Sequence, residues 1–362
     1  MGGEVNNRVE AVRKGRGLGA AELARRVGVS RQTIYAIEAG TYLPNTGVTL
    51  RLARELEVSV EELFMLESLA AGEPEAVACE VLSATAVSKG QAVRSGRVGG
   101  KLVSVPVSGA PYYLPEADGV MAKVGKRAAM SALGGERDWE KRLVVAGCDP
   151  GMGLLGGEVE MVVAGASSRL ALEWMRAGKV HIAGSHLEDG ETGEFNVPYL
   201  RREFAGEEFA VVTFACWEEG MVVRAGNPLG VREVGDLARL RFVNREEGSG
   251  SRGLVDRLLG EAGVETGRVA GYERVANGHL AAAYAVQAGE ADCCVATRSA
   301  ARTFGLDFVA LRRERYDFVM KTETLNLPGV QMFLNALQKG SLRRKLEVLA
   351  GYETGETGVR VV

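Results

Sequence analysis

Over the first 66 residues, apolar positions recur at helical spacing in short runs, each closed by a glycine or a polar stop. Leu23 and Val27 give one apolar face to Ala20–Val27, and Gly28 ends it. Ser30 stands as N-cap to Arg31–Glu38, where Ile34 and Ile37 form the inward face and Gly40 the stop. Helices are expected over 48–56 and 59–64, the second with capping-box spacing from Ser59 to Glu62. Residues 67–76 are small and polar with one Gly and one Pro, and read as a linker. From 77 to 121 the pattern changes to short alternating runs rich in Val, Gly and Ser, turned at Lys89-Gly90 and Gly99-Gly100. This predicts a small β module, followed by a helix over 122–133. Beyond residue 142, apolar runs at 143–146, 159–164 and 180–184 each end in a Gly- or Ser-rich loop, and helical patterns follow the first two. Such alternation predicts an α/β fold with a largely parallel sheet.

Length and charge refine this picture. A chain of 362 residues accommodates two or three domains, and 25% charged with 46% hydrophobic residues is an ordinary globular composition. The net charge of −3 hides an asymmetry: residues 1–54 hold nine basic and four acidic side chains, a balance of +5. A basic segment on an acidic chain points to a polyanionic partner for that segment. No stretch approaches the roughly 18 apolar residues that span a bilayer, and the N-terminus lacks the apolar core of a secretory signal. Five cysteines, odd in number and without a C-x-x-C pair, signal neither a disulfide framework nor a zinc knuckle. A reducing cytoplasm is therefore the expected setting.

Two short helices separated by Gly28-Val29-Ser30 make a helix-turn-helix. With Ile34 and Ile37 inward, Arg31, Gln32, Thr33 and Tyr35 are left outward near the start of the second helix, just after Ser30. Arg and Gln suit base edges, Thr and Tyr suit bases or phosphates, so double-stranded DNA is the expected partner. The motifs E-L-A-x-x-x-G-V-S-R-Q-T-I, I-E-x-G and V-S-V-E-E-L-F make this segment resemble the Cro/repressor-type (XRE) helix-turn-helix family. That resemblance implies DNA binding as a homodimer on a near-palindromic site. A protein-interaction domain of the same fold would leave the exposed Arg31, Gln32 and Thr33 without a purpose.

Three loops stand out in the α/β region: Gly147-Cys148-Asp149-Pro150, Gly165-Ala166-Ser167-Ser168, and the run from Asn244 to Arg252 through Gly248-Ser249-Gly250-Ser251. Ligands of open α/β sheets bind at such carboxyl-end loops, and helix N-termini supply free N–H donors for an anion. Other chemistries fit less well. Gly151-x-Gly153-x-x-Gly156 spells a dinucleotide fingerprint, but Cys-Asp-Pro intervenes after the strand, and Ala164-Gly165 stand where a ribose-binding carboxylate belongs. The Gly-Ser-Gly-Ser-Arg loop lacks the Lys-Ser/Thr of a P-loop. His181, His186 and His279 have no carboxylate at ligand spacing, so they read as packing histidines and no metal is expected. Cys293-Cys294 reads as strand core. No nucleophile–base spacing argues for catalysis, so no enzyme is expected.

Over residues 142–355, the motifs G-C-D-P, H-I-A-G-S-H-L, R-A-G-N-P-L-G-V and N-R-E-E-G-S-G-S-R are similar to those of a periplasmic-binding-protein-like domain. That domain is related to molybdate-binding proteins and is found fused to helix-turn-helix domains. The resemblance implies a type II, two-lobed α/β fold with ligand in the cleft between lobes. It puts residues 224–228 at the crossing into the second lobe, and Tyr316 near the return. It also implies Ser167, Ser168, Ser249, Gly250 and Ser251 as donors, Arg245 and Arg252 as charges, and Asp149 as a loop-orienting group. Ser251 replaces the family's Thr and keeps the hydroxyl. A bidentate Arg suits a carboxylate or sulfonate as readily as a tetrahedral oxyanion. The whole reads as a multidomain regulator: helix-turn-helix over 1–68, β-rich connector over 77–121, ligand-sensing domain over 140–355. It would answer a small anionic effector such as molybdate or tungstate and need no other cofactor. An enzyme and a ligand-independent DNA-binding scaffold with a degenerate cleft are the rival readings.

Overall fold

The computed structural model describes residues 5–66, 76–107, 116–133 and 139–362, and contact density divides the chain into two units, Met1–Glu75 and Ala76–Val362. The first unit holds β1 (Val5–Asn7), α1 (Val9–Gly15), α2 (Ala20–Val27), α3 (Arg31–Glu38), α4 (Thr46–Glu55), α5 (Val60–Leu63) and β2 (Phe64–Leu66). Gly28 closes α2 with φ +75°, a left-handed conformation that costs glycine little. Ser30 Oγ accepts from Thr33 N at 3.0 Å and Asn45 Oδ1 from Val48 N at 3.0 Å, so α3 and α4 begin at side-chain caps. Helices of eight or ten residues do not persist alone in water. Burial holds them: Leu23, Val27, Ile34, Ile37, Leu52, Leu56 and Leu63 form one core, each side chain worth roughly 1.5–3 kcal/mol when fully buried. The expected all-helical pattern misses one feature. β1 and β2 pair antiparallel, Val5 opposite Leu66, so the helix expected over 59–64 stops at Leu63. The Glu62 side chain, and the linker but for Ala76, lie outside the described residues.

The second unit opens with a six-stranded sheet, in the order β3-β8-β7-β5-β6-β4. Its strands are β3 (Val77–Ala78), β4 (Glu80–Val81), β5 (Ala92–Val98), β6 (Lys101–Pro106), β7 (Gly119–Lys123) and β8 (Ala129–Ala132). The helix expected over 122–133 is therefore a β-hairpin. Gly125 turns the chain at φ +91°, and Met121 and Met130, directly opposite each other, bury into the module's core. The sheet thus extends past Met121 to Ala132. Its Leu82, Val98, Val103 and Val105 share a core with Val144, Ala146 and Val162 of the α/β region. The buried Arg142 clamps the two together, donating to Asp118 at 2.7 Å, to Glu160 and to the Ser95 carbonyl at 3.3 Å.

The α/β region is built on a nine-stranded sheet. In chain order its elements are β9 (Leu143–Gly147), β10 (Met161–Gly165), α6 (Ser168–Arg176), β11 (Ile182–Ser185), α7 (Val197–Glu203), β12 (Phe209–Val223), β13 (Phe242–Arg245), α8 (Gly250–Glu261), β14 (Val275–Ala276), α9 (His279–Gln287), β15 (Cys293–Thr297), α10 (Arg298–Thr303), β16 (Asp307–Lys321), α11 (Pro328–Leu337), α12 (Gly340–Leu349) and β17 (Tyr352–Glu353). The order β10-β9-β11-β16-β12-β15-β13-β14 makes two lobes: parallel β10-β9-β11 at one end, parallel β15-β13-β14 at the other. Between them run β12 and β16, antiparallel to each other and 15 residues long each, shared by both lobes. The crossing into the second lobe is thus mid-strand in β12. Residues 224–228, where the family resemblance put the crossing, lie beyond the strand's end. The segment after β9 is a 3-10 helix, Pro150–Leu155, because Pro150 with Gly151 and Gly153 suits a tight turn better than an α-helix.

Candidate functional site

On the N-terminal unit, α3 presents Arg31, Gln32 and Tyr35 exposed, with Thr33 half-buried. The Arg31 guanidinium lies over the Tyr35 ring, 5.2 Å from its centre, and Nη2 donates to Tyr35 Oη at 2.8 Å. Ser30 Oγ and Thr33 Oγ1 share a bond of 2.8 Å, so both belong to the cap, while the exposed Gln32 side chain has no hydrogen-bond partner among the described residues. Five of the nine basic side chains are spent on ion pairs: Arg13 with Glu38, Lys14 with Glu10, Arg16 with Glu57, and Arg25 and Arg26 with Glu22. Arg8, Arg31, Arg51 and Arg54 form none among the described residues and are exposed. The positive charge open to a polyanion is therefore smaller than the sequence balance and resides in four arginines.

In the second unit, the two long strands build the floor between the lobes. Bulges at Phe214 and Leu311 bracket the crossing, and strand alternation puts Trp217, Glu219, Glu314 and Tyr316 on one face. All four are buried. Loops from the strand ends close over them. Ser167 and Ser249 cap α6 and α8, accepting from Leu170 N at 3.5 Å and Arg252 N at 3.3 Å. These helix starts meet in a cavity of about 880 Å³ whose lining includes Ser167, Arg169, His186, Ser249, Gly250 and Arg252. Neither Arg169 nor Arg252 has an ion-pair partner among the described residues; their guanidiniums lie over Tyr199 and Tyr272, 5.8 and 5.1 Å from the ring centres. A second cavity, about 490 Å³, opens between Cys148, Asp149, Glu246 and His279 and the β module's Ser83, Thr85 and Gln91.

Other residues named from the sequence are buried behind these walls, except Asp149, which lies at the edge of the smaller cavity. Ser168 Oγ accepts from His186 N at 3.1 Å. Arg245, 1% exposed, spends its fork on Glu246 at 2.8 and 2.9 Å and reaches Ser251 Oγ at 3.3 Å. Tyr316 Oη accepts from Cys148 N at 3.3 Å, beneath the loop. Asp149 accepts from Gly151 N and from Tyr352 Oη at 2.9 Å, and burial pushes its carboxyl up to about 7. Ser167, Ser249, Gly250 and Arg252 thus share the larger cavity, whereas Ser168, Arg245, Ser251 and Tyr316 hold the frame.

Sequence reasoning missed a cluster at the foot of the cleft. Cys148 Sγ lies 3.6 Å from His186 Nε2 and 3.6 Å from His279 Nε2. His186 Nδ1 is 2.7 Å from Glu314 Oε2, and His279 Nδ1 is 3.8 Å from Glu219 Oε1. Burial opposes a proton on His186, but the Cys148 sulfur and Glu314 outweigh it and raise its affinity well above the usual range. His279 goes the other way, lowered by burial and by the charges of Arg245 and His186. Burial and the Glu314 charge push Glu219 up to about 7. His181, by contrast, is a packing residue whose Nδ1 accepts from Val144 N at 3.0 Å. The only sequence signal for the cluster was its position: three chemistry-bearing side chains, each just past a strand end or at a helix start.

Comparison with known proteins agrees with this architecture. Residues 6–69 match the family described as a helix-turn-helix domain, and residues 155–338, just over half of the chain, match the PBP superfamily domain. The uncharacterized protein YvgK of Bacillus subtilis is 35% identical over 243 residues, 64% of this chain and 78% of its own. An uncharacterized HTH-type transcriptional regulator of Methanothermobacter thermautotrophicus is 48% identical over 56 residues, 15% of this chain and 81% of its own. Among solved structures, the effector-binding domain of QuiR in complex with shikimate covers 56% of this chain and 96% of its own at 12% identity, TM-score 0.40. Among the described residues, no helix is long and apolar enough to cross a membrane. The chain is a helix-turn-helix DNA-binding regulator fused to a ligand-binding region, and through that region it belongs to the PBP superfamily domain family.

Proposed function

We propose that this chain is a one-component, non-enzymatic transcription regulator of the cytoplasm. In this reading it binds duplex DNA as a homodimer, and a small anion held between the C-terminal lobes sets its affinity for DNA. One observation carries the ligand assignment. The capped starts of α6 and α8 meet in a single cavity, with the unpaired Arg169 and Arg252 beside them. Free N–H groups and the positive ends of two helices favour negative charge there, and a guanidinium adds a bidentate partner.

The cavity's size and lining bear on which anion. About 880 Å³ is within the usual range for organic ligands and far more than a bare tetrahedral oxyanion fills. Glu314 also faces it with no arginine partner among the described residues, which disfavours a multiply charged oxyanion; Glu188, on the same wall, is paired with Arg257 and Arg312. A small carboxylate, sulfonate or phosphate ester with hydroxyl groups is thus favoured over molybdate or tungstate. Thermal denaturation of the full chain against both classes tests this. At 100-fold its dissociation constant the true effector adds about 2.7 kcal/mol of stability, and Arg252→Ala or Arg169→Ala removes most of that shift. A shift with molybdate or tungstate alone reverses the ligand class; no shift with any anion favours the ligand-independent scaffold.

A further inference from the structure

The three ligand-type atoms at the foot of the cleft fit one small ion. A tetrahedral centre holding sulfur at about 2.3 Å and imidazole nitrogen at about 2.0 Å has S···N edges of about 3.5 Å. Both edges from Cys148 Sγ measure 3.6 Å, and all three atoms lie within 4.8 Å of one another. Each ring turns Nε2 to the sulfur and Nδ1 to a buried carboxylate, Glu314 for His186 and Glu219 for His279. Outer carboxylates hydrogen-bonded in this way fix the tautomer and orientation of metal-bound histidines. Glu314, at 2.7 Å from His186 Nδ1, is within that distance, and Glu219, at 3.8 Å from His279 Nδ1, is near enough for charge attraction alone.

Charge and unmet bonding point the same way. Among the described residues, neither oxygen of the fully buried Glu219 has a partner at full hydrogen-bond geometry, although the Ser251 hydroxyl helps to hold its charge, and His279 Nδ1 has none either. Arg245, the buried guanidinium nearby, is committed to Glu246. Two buried carboxylates and a thiol therefore share a site where, among the described residues, no uncommitted guanidinium or ammonium is placed. We propose that Cys148, His186 and His279 bind a transition-metal ion, zinc(II) foremost, leaving a fourth position open to water or ligand. One sulfur with two imidazoles suits zinc or copper and disfavours magnesium and calcium, which take oxygen. Because Cys148 and His186 follow strands of the first lobe and His279 begins α9 on the second, the ion ties the lobes together. Cys148, His186 and Glu314 also line up as a nucleophile, base and carboxylate, but a nucleophile needs one base, and here a second imidazole meets the same sulfur.

The test uses the full chain, stripped with a chelator and titrated with cobalt(II). Wild type is expected to bind one equivalent, with a thiolate-to-cobalt charge-transfer band and the intense visible bands of tetrahedral cobalt, all displaced by zinc(II). Cys148→Ser loses the charge-transfer band, His279→Gln weakens binding, and Glu314→Gln keeps the band while lowering affinity about 10–100-fold. Circular dichroism confirms that each variant is folded. Absence of the bands in folded wild type overturns the proposal, as does a charge-transfer band that survives Cys148→Ser. Alkylation of Cys148 by iodoacetamide at the same rate with and without zinc also overturns it and returns the cysteine to the nucleophile reading.

Discussion

At the scale of single residues, burial decides which charges matter. Arg13 and Glu38 form a two-pronged pair at 2.6 and 2.9 Å, with side chains 9% and 5% exposed. Removing one partner strands the other, so Arg13→Ala is expected to cost about 3–5 kcal/mol in the unfolding of the N-terminal unit. Arg25, 76% exposed beside Glu22, pairs in solvent where the attraction is screened, so the same substitution there is expected to cost far less. Chemical denaturation of both variants compares them, and equal losses would mean that the Arg13 pair is not the tie it looks. On the DNA side, Arg31→Ala and Gln32→Ala are each expected to weaken specific binding by about 1–3 kcal/mol. Unchanged footprints from both variants would remove α3 from the groove.

Local punctuation made some elements legible, and its absence hid others. α2 and α3 could be read because Gly28 and Ser30 act within a few residues of themselves. β1 and β2, three residues each and paired from opposite ends of the unit, are too short to show alternation. Residues 122–133, rich in Ala, Lys and Arg, look helical until Gly125 and the opposed Met121 and Met130 are seen. The crossing in β12 has no Pro, and its single glycine, Gly220 at the second bulge, is followed by Met221-Val222-Val223 and gives no turn signal. Cys148, His186 and His279 were each visible, but they stand 38 and 131 residues apart and meet only through the sheet order. The polar groups of Arg245, Ser168 and Tyr316 suggested ligand contacts, and only the fold reveals that they are satisfied internally. Close packing at this scale gives a further prediction. A Cβ on Gly184 would lie 1.9 Å from Tyr316 Oη, whereas one on Gly153 meets nothing within 4 Å. Gly184→Ala is expected to destabilise the C-terminal unit by about 1–3 kcal/mol or more, and Gly153→Ala to leave its melting point nearly unchanged. Equal melting points would contradict the seating of Tyr316 against β11.

For the whole molecule, the central claim is that the cleft between two lobes governs what the N-terminal unit does to DNA. In the proposed regulator, a change in lobe closure would bend β12 and β16, the strands both lobes share, at their bulges. An effector shifts the closure equilibrium only by its differential affinity for the two states, commonly about 1–3 kcal/mol or roughly 5–150-fold in binding. The most direct test is fluorescence anisotropy of the full chain on a DNA duplex selected from random sequence, with and without a saturating anion identified by thermal shift. A change in DNA affinity of that size, lost in Arg252→Ala, is the predicted result. The same affinity with and without a saturating anion that demonstrably binds the cleft would contradict the account.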